Sequence, residues 1–225
     1  MRSGAAFTLV GTLDQRFVHY PISAPDPETG LQLQNWIAER TVDTADGLAD
    51  ADWNRPADVD RFLPAFEDWT FDWLDIPHLV RGAPAIWEFP MVDRDPVDRW
   101  VDGRVCLLGD AAHVMFPVGS NGASQAIVDA RVLGAQLVEH GVGRDALHAF
   151  ESRLLEPVSA LVLRNRGHGP IGILGLVDER SGGYFDDIDD VIPRAEVEAY
   201  MADYKQAAGF AVDALNAAPP TIRRP

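Results

Sequence analysis

Cysteine is almost absent: Cys106 stands alone among 225 residues, so no internal disulfide can form, and the chain suits a reducing, cytoplasmic setting. Positive charge is scarce as well. Nineteen Lys and Arg face 35 Asp and Glu, and the formal net charge of −16 argues against nucleic acid or an anionic membrane as partner, since phosphate binding draws on clustered cations. Long apolar runs are missing, because Gly11 and Asp14 break the run from Ala5 to Val10 and no stretch reaches the length of a membrane helix. The six histidines, at 19, 78, 113, 140, 148 and 168, show no HxH or HxxxH spacing, so no metal site is expected. Asp186, Asp187, Asp189 and Asp190 lack the glycine and distant glutamate of a calcium loop and read as a solvated acidic turn. Ser120 and Ser124 lie near His113 without a nucleophile elbow and read as loop caps.

What is present is enough apolar residue, 47%, to bury one sizeable core or parts of two, and one stretch whose order is strand, acidic turn, glycine loop, helix. Arg104 to Leu108 is a short run rich in β-formers, ended by Gly109 and Asp110. This predicts a buried strand, with Cys106 inert within it. Asp110, at the strand's carboxyl end, offers a carboxylate to a ligand hydroxyl, while Gly109 lets the backbone turn. Pro117, Gly119 and Gly122 make a loop of little bulk on which a flat ring can lie. Helical spacing resumes near Ala123, so the N–H groups of Gly122, Ala123 and Ser124 are unpaired donors at a positive helix end.

The full pattern, Gly109-Asp110-Ala111-Ala112-His113 followed by Pro117, Gly119, Gly122 and Asp129, resembles the second FAD-binding motif of the class A flavoprotein monooxygenases, the p-hydroxybenzoate hydroxylase-like family. Trp53 with its neighbours Asp52 and Asn54, the WTFDWLDI segment and Phe89 to Pro96 are similar to a phenazine-modifying subgroup. The resemblance implies FAD as cofactor, with Gly109, Asp110, Pro117, Gly119, Gly122, Ala123 and Ser124 binding it and Asp110 on the ribityl chain. It implies NAD(P)H as electron donor, dioxygen and a small aromatic substrate as reactants, and no side chain acting as acid or base. Phe116 and Pro117 would face the substrate, and Tyr20, Trp36 and Trp87 would sit on strands over the flavin, although core packing explains each of those three as well. His113 belongs to the turn as a structural residue.

The family's opening GxGxxG turn has no counterpart here. Gly4 is followed by Ala5 and Ala6, and Gly11 by Thr12 and Leu13; Gly167, Gly169, Gly172 and Gly175 follow a helix-like segment and read as a loop. Asp102-Gly103 is the turn into the GD strand rather than the family's middle DG motif. The expected fold is therefore α/β, the C-terminal part of a GxGxxG-type FAD-binding fold with a mixed β-sheet substrate domain and C-terminal helices. Residues 1–100 form the substrate part, 101–166 the FAD part with the GD motif, and 167–225 a loop and helical tail. Strands are predicted at 17–23, 33–39 and 85–92, and helices at 56–69, 123–140, from 145 onward and over 189–217. The function expected is an FAD-dependent monooxygenase whose N-terminal half lies on another chain or outside this one. The alternatives are a remnant or interaction domain without cofactor, or a flavin oxidoreductase that inserts no oxygen.

Overall fold

The computed structural model describes residues 7–42, 54–89, 91–209 and 211–222, which divide into two compact units, Met1–Pro90 and Met91–Pro225. Asp52, Trp53 and Pro90, part of the resembling segments, lie outside the described residues.

The first unit is built on a sheet in the order β1 (Thr8–Gly11), β2 (Gln15–Pro21) and β3 (Gln34–Arg40). Thr12, Leu13 and Asp14 link the first two strands, a connection far too short for a crossover, so the strands run antiparallel. Every strand pair among the described residues is antiparallel, where a mixed sheet was expected. The register sets Phe17 opposite Ala38 and His19 opposite Trp36, and paired residues share a face. On that face Phe17 packs with Leu63, Phe66, Leu74, Ile76 and Val80.

The helix predicted over 56–69 is split into α1 (Val59–Phe62) and a 3-10 turn at Leu63–Phe66, because Pro64 brings no N–H to continue an α-helix. Asp58 caps α1 through the Asp60 N–H, and Asp75 caps α2 (Ile76–Arg81) by accepting from the His78 N–H at 2.8 Å. Two short strand pairs complete the unit, one long-range and one a hairpin. β4 (Arg55–Pro56) pairs with β7 (Trp87–Glu88), and β5 (Thr70–Phe71) with β6 (Leu74–Asp75). The strand predicted over 85–92 thus shrinks to two residues, hemmed in by Pro84 and Pro90.

The second unit opens with a hairpin of β8 (Val101–Asp102) and β9 (Val105–Cys106), turning at Gly103 with φ of 62°. The buried strand predicted over 104–108 is corrected on two counts: it is only two residues long, and Val105 is 65% exposed. Helices follow: α3 (Asp110–His113), α4 (Gly122–His140), α5 (Arg144–Arg166), α6 (Gly172–Ser181), α7 (Ile188–Val191), α8 (Arg194–Ala207) and α9 (Val212–Ala217). The loop predicted at Gly167 to Gly175 is instead a 3-10 turn, Gly169–Ile171, running into α6. His168 at φ of 68° reverses the chain, and Pro170 presets the first turn. The helical tail is likewise three helices. Pro193 precedes α8, and Asp187 caps α7 by accepting from the Asp189 N–H at 3.0 Å. Trp100, Val132, Phe150, Leu154, Val158 and Val162 form the core between α4 and α5.

His19 gives the first unit a pH signature. It is buried, and neither ring nitrogen meets a partner in good geometry. Burial pushes its pKa down from 6.5, with Gln34 opposing. The unfolded chain takes up a proton at His19 near 6.5 while the folded chain resists until lower pH, so acid favours unfolding and this stability is lost as pH falls below that value. Urea unfolding followed by tryptophan fluorescence, with Trp36 beside the site, should show a midpoint that drops between pH 7 and 5 in the native chain. The drop should be shallower in His19→Leu; parallel profiles would show that His19 does not titrate in this range.

Candidate functional site

The turn after β9 is held by one carboxylate. Gly109 adopts φ of 55° and ψ of −137°, a backbone that side chains disfavour, and an added Cβ there would press to 3.3 Å from the Ala126 methyl. Its N–H donates to Asp129 Oδ2 at 2.9 Å, and the His113 Nε2–H donates to the same oxygen at 2.7 Å. A carboxylate only accepts, so the proton of that contact sits on Nε2. Asp129 is fully buried on α4, and His113 lies under the Trp100 ring at 5.4 Å. The Gly109 carbonyl accepts from the N–H groups of Ala112 and His113, both at 2.9 Å, which closes the single turn of α3.

This clamp leaves Asp110 facing outward beside another helix start. Asp110 is exposed and has no hydrogen-bond or ion-pair partner among the described residues. Its Oδ1 lies 3.8 Å from where a Cβ on Gly122 would stand. Gly122 opens α4, whose first N–H groups have no partner within the helix, so an acidic group and a row of donors meet at one spot. That combination fits a ligand which brings hydroxyls to the carboxylate and electron-rich acceptors to the N–H groups, as the ribityl chain and ring of a flavin do.

The helix itself is inverted. α4 buries Gln125, Asp129 and Gln136 with Val132 and Ala135, and exposes Ile127 at 64% and Val138 at 61%. Two of the buried polar groups have partners inside: Asp129 through Oδ2 as above, its Oδ1 being buried without one, and Gln125 donating to the Ala208 carbonyl at 3.4 Å. An ordinary surface helix shows the opposite pattern. Near its start, burial first, then Glu151 and Asp129, pushes the half-buried Cys106 thiol upward, away from the reactive thiolate. Glu151 also accepts from the Trp100 and Val101 N–H groups, fixing the hairpin to α5.

The structure brings Gly109, Asp110 and Gly122 together, with Ala123 exposed and Ser124 half-buried in the first turn of α4. Pro117 is exposed and opens a 3-10 turn, Pro117–Gly119. Gly119 has a different neighbour from the flat ring anticipated: a Cβ there would fall 1.7 Å from the Tyr204 hydroxyl. Of the aromatic candidates, Trp36 is spent in the first unit's core, stacked on Phe17 at 5.6 Å. Tyr20 lies on the other face of the sheet, stacked with Phe7 at 5.6 Å and accepting from Asn35 Nδ2 at 3.0 Å. Trp87 is 46% exposed on β7, and Phe116 is half-buried in the second unit. Sequence reasoning missed the pairing of Asp129 with His113, although both stand in the motif. It placed Tyr204 on one face of the helical tail without a role at the loop, and it missed Asn165, since neither carries a local signal of that contact.

Replacing Asp129 tests the clamp. Asp129→Ala strands the Gly109 N–H and the His113 imidazole in the core and should cost about 3 kcal/mol in urea unfolding. Asp110→Ala, at an exposed position, should change stability by under about 0.5 kcal/mol. Equal losses would show that the buried carboxylate does not hold the turn.

The chain is similar to known proteins over part of its length. A family model described as an FAD binding domain matches residues 86–165. The phenazine 1,6-dicarboxylic acid hydroxylase PhzS of Lysobacter antibioticus is 44% identical over 151 residues, covering 67% of this chain and 37% of that protein. 3-Hydroxybenzoate 6-hydroxylase 1 of Aquipseudomonas alcaligenes is 47% identical over 76 residues, 34% of this chain and 16% of its own length. The solved structure of 2,6-dihydroxypyridine-3-hydroxylase from Arthrobacter nicotinovorans shares the fold with a TM-score of 0.56 at 24% identity, over 82% of this chain and 48% of that one. The chain spans well under half of the length of the curated relatives it matches. By the stretch it shares with them, the chain belongs to the class A FAD-dependent monooxygenases.

Proposed function

We propose that this chain supplies the ring-binding side of an FAD-dependent monooxygenase that hydroxylates a small aromatic compound with NAD(P)H and dioxygen, in the cytoplasm. The observation that carries this is the placing of Asp110, by the buried Asp129, against the N-terminus of α4. Asp110 accepts from the ribityl hydroxyls, and Gly109 makes room for the turn that aims it. The N–H groups of Gly122, Ala123 and Ser124 favour negative charge at the pyrimidine end of the ring, and Pro117 and Gly119 shape the loop alongside. FAD, when bound, takes up the reducing electrons and activates oxygen; the protein's part is to bind, orient and keep water out. Phe116 and Pro117 form the substrate side of the loop, and Tyr20 and Trp87 are further candidates for contact with an aromatic ring. No side chain is needed as acid or base.

The GxGxxG spacing at Gly167-His168-Gly169-Pro170-Ile171-Gly172 follows the helix α5 rather than a strand and offers no strand-to-helix turn for the pyrophosphate, so the cofactor site is completed by a further polypeptide segment. Residues 1–100, 101–166 and 167–225 would then serve as substrate cover, flavin site and supporting tail.

Titration of the chain with FAD, read by quenching of flavin fluorescence, tests this directly. Binding should saturate but be weak, and FMN should bind as well as FAD because nothing grips the adenosine half. Asp110→Ala should weaken both by roughly tenfold to a hundredfold, the worth of a charge-assisted hydrogen bond. No saturable quenching in the native chain would overturn the flavin reading; unchanged affinity in the variant would remove Asp110 from it.

A further inference from the structure

We propose that Tyr204, on α8 and 87 residues beyond Pro117, is a positioning residue for the flavin: its hydroxyl sets the conformation of the loop from Phe116 to Gly122 and thereby the aim of the α4 N-terminus. The assignment rests on the flavin reading above.

The loop is bracketed at both ends by one buried circuit. Asn121, just before α4, donates from Nδ2 to the Tyr204 oxygen; Tyr204 donates to Asn165 Oδ1 at 3.0 Å; and Asn165 donates from Nδ2 to the Phe116 carbonyl at 3.3 Å. The hydroxyl takes one hydrogen bond and gives one, so each link has a donor and an acceptor. Asn121, Asn165 and Tyr204 are 0%, 1% and 5% exposed, where an unmet polar group is costly and a met one admits few alternatives.

Between the two anchors, the backbone is shaped around the same oxygen. Gly119 leaves no Cβ because the Tyr204 hydroxyl occupies that place, 1.7 Å from where a Cβ would be built. Ser120 follows at φ of 53°, a left-handed conformation that a serine adopts only when its surroundings impose it. Neighbouring contacts hold Tyr204 in turn. Tyr200, one turn earlier on α8, donates to the Gly169 carbonyl at 2.8 Å, and the Arg164 guanidinium sits over the Tyr204 ring at 5.8 Å. Burial, more than any neighbouring charge, pushes the Tyr204 pKa upward, so the hydroxyl keeps the proton it donates.

The test uses the full 225-residue chain with FAD as the probe. Tyr204→Phe keeps the ring in the core and removes only the oxygen. Hydrogen exchange of the amides at 118–122 should quicken about tenfold or more, as expected for the loss of the hydroxyl's two buried hydrogen bonds, while the amides in the middle of α4 and α5 stay protected. FAD should bind several-fold more weakly, and the visible difference spectrum of the bound flavin should shift at equal occupancy, which a general loss of stability would not produce. Gly119→Ala approaches the same contact from the other side by pushing a methyl at the hydroxyl. It should shift the spectrum in the native Tyr204 background, and the double variant should lose less than the sum of the two single effects. A native chain that binds flavin, with a Tyr204→Phe variant indistinguishable in loop exchange and spectrum, would overturn the positioning role alone. So would strictly additive effects in the double variant. A native chain that does not bind flavin at all would overturn the site reading and this assignment together.

Discussion

A carboxylate taken out of water is costly unless donors meet it, and Asp129 receives two at one oxygen: a backbone N–H from the turn and an imidazole N–H from the short helix after it. Because both reach the same oxygen, the turn at Gly109 and the helix α3 are fixed relative to α4 and to each other. Trp100 lies against His113 at 5.4 Å and packs with the buried Phe150, the rings tilted at 5.8 Å, in the core beside the pair. The exposed Asp110 inherits its direction from these buried contacts. An acidic group beside a helix N-terminus would otherwise be an ordinary surface feature.

The second unit also shows how distant segments can serve one loop. The stretch from Phe116 to Asn121 is too short and too rich in glycine and proline to fix its own conformation. Support arrives from the C-terminal end of α5 through Asn165 and from α8 through Tyr204. At that same end of α5, Arg166 is paired with Asp93 and Asp95, and those carboxylates push its pKa further up, so it remains a cation throughout. These exposed pairs add little to stability individually. They tie the segment at 93–95, where the resemblance to phenazine-modifying enzymes runs, to the helix that supports the loop.

Much of this unit could be read from the chain alone because its signals are local. α4 and α5 announced themselves through spacing and ended at glycines, Gly141 and Gly167, and the GD turn stood where the glycine and acidic residue said it would. The errors came where two residues make a strand. β7 is held by a distant partner, β4, and β8 and β9 pair only two residues each with one another across Gly103, lengths too short for periodicity to report. α6 escaped because its glycines imitate a loop, and a reversal at His168 with Pro170 restarts the helix after them. Tyr204 and Asn165 could not be found from their own neighbourhoods, for their roles depend on the fold bringing positions 121, 165 and 204 to one place. Asp129 was visible in the motif but not its duty, since burial is a property of the packed helix.

The inverted face of α4 changes how substitutions along this helix are to be interpreted. On most helices a scan of variants finds the apolar positions intolerant and the polar ones permissive. Here hydropathy does not sort the positions: Ile127 and Val138 are exposed and should accept lysine or glutamate without disturbing the second unit's own fold, while the buried Gln125 and Asp129 should be as intolerant as Val132 and Ala135. A hydropathy-based reading of damaging variants would therefore misplace Ile127, Val138, Gln125 and Asp129 on this helix, and attempts to improve the handling of the isolated chain have safe positions at its exposed apolar residues.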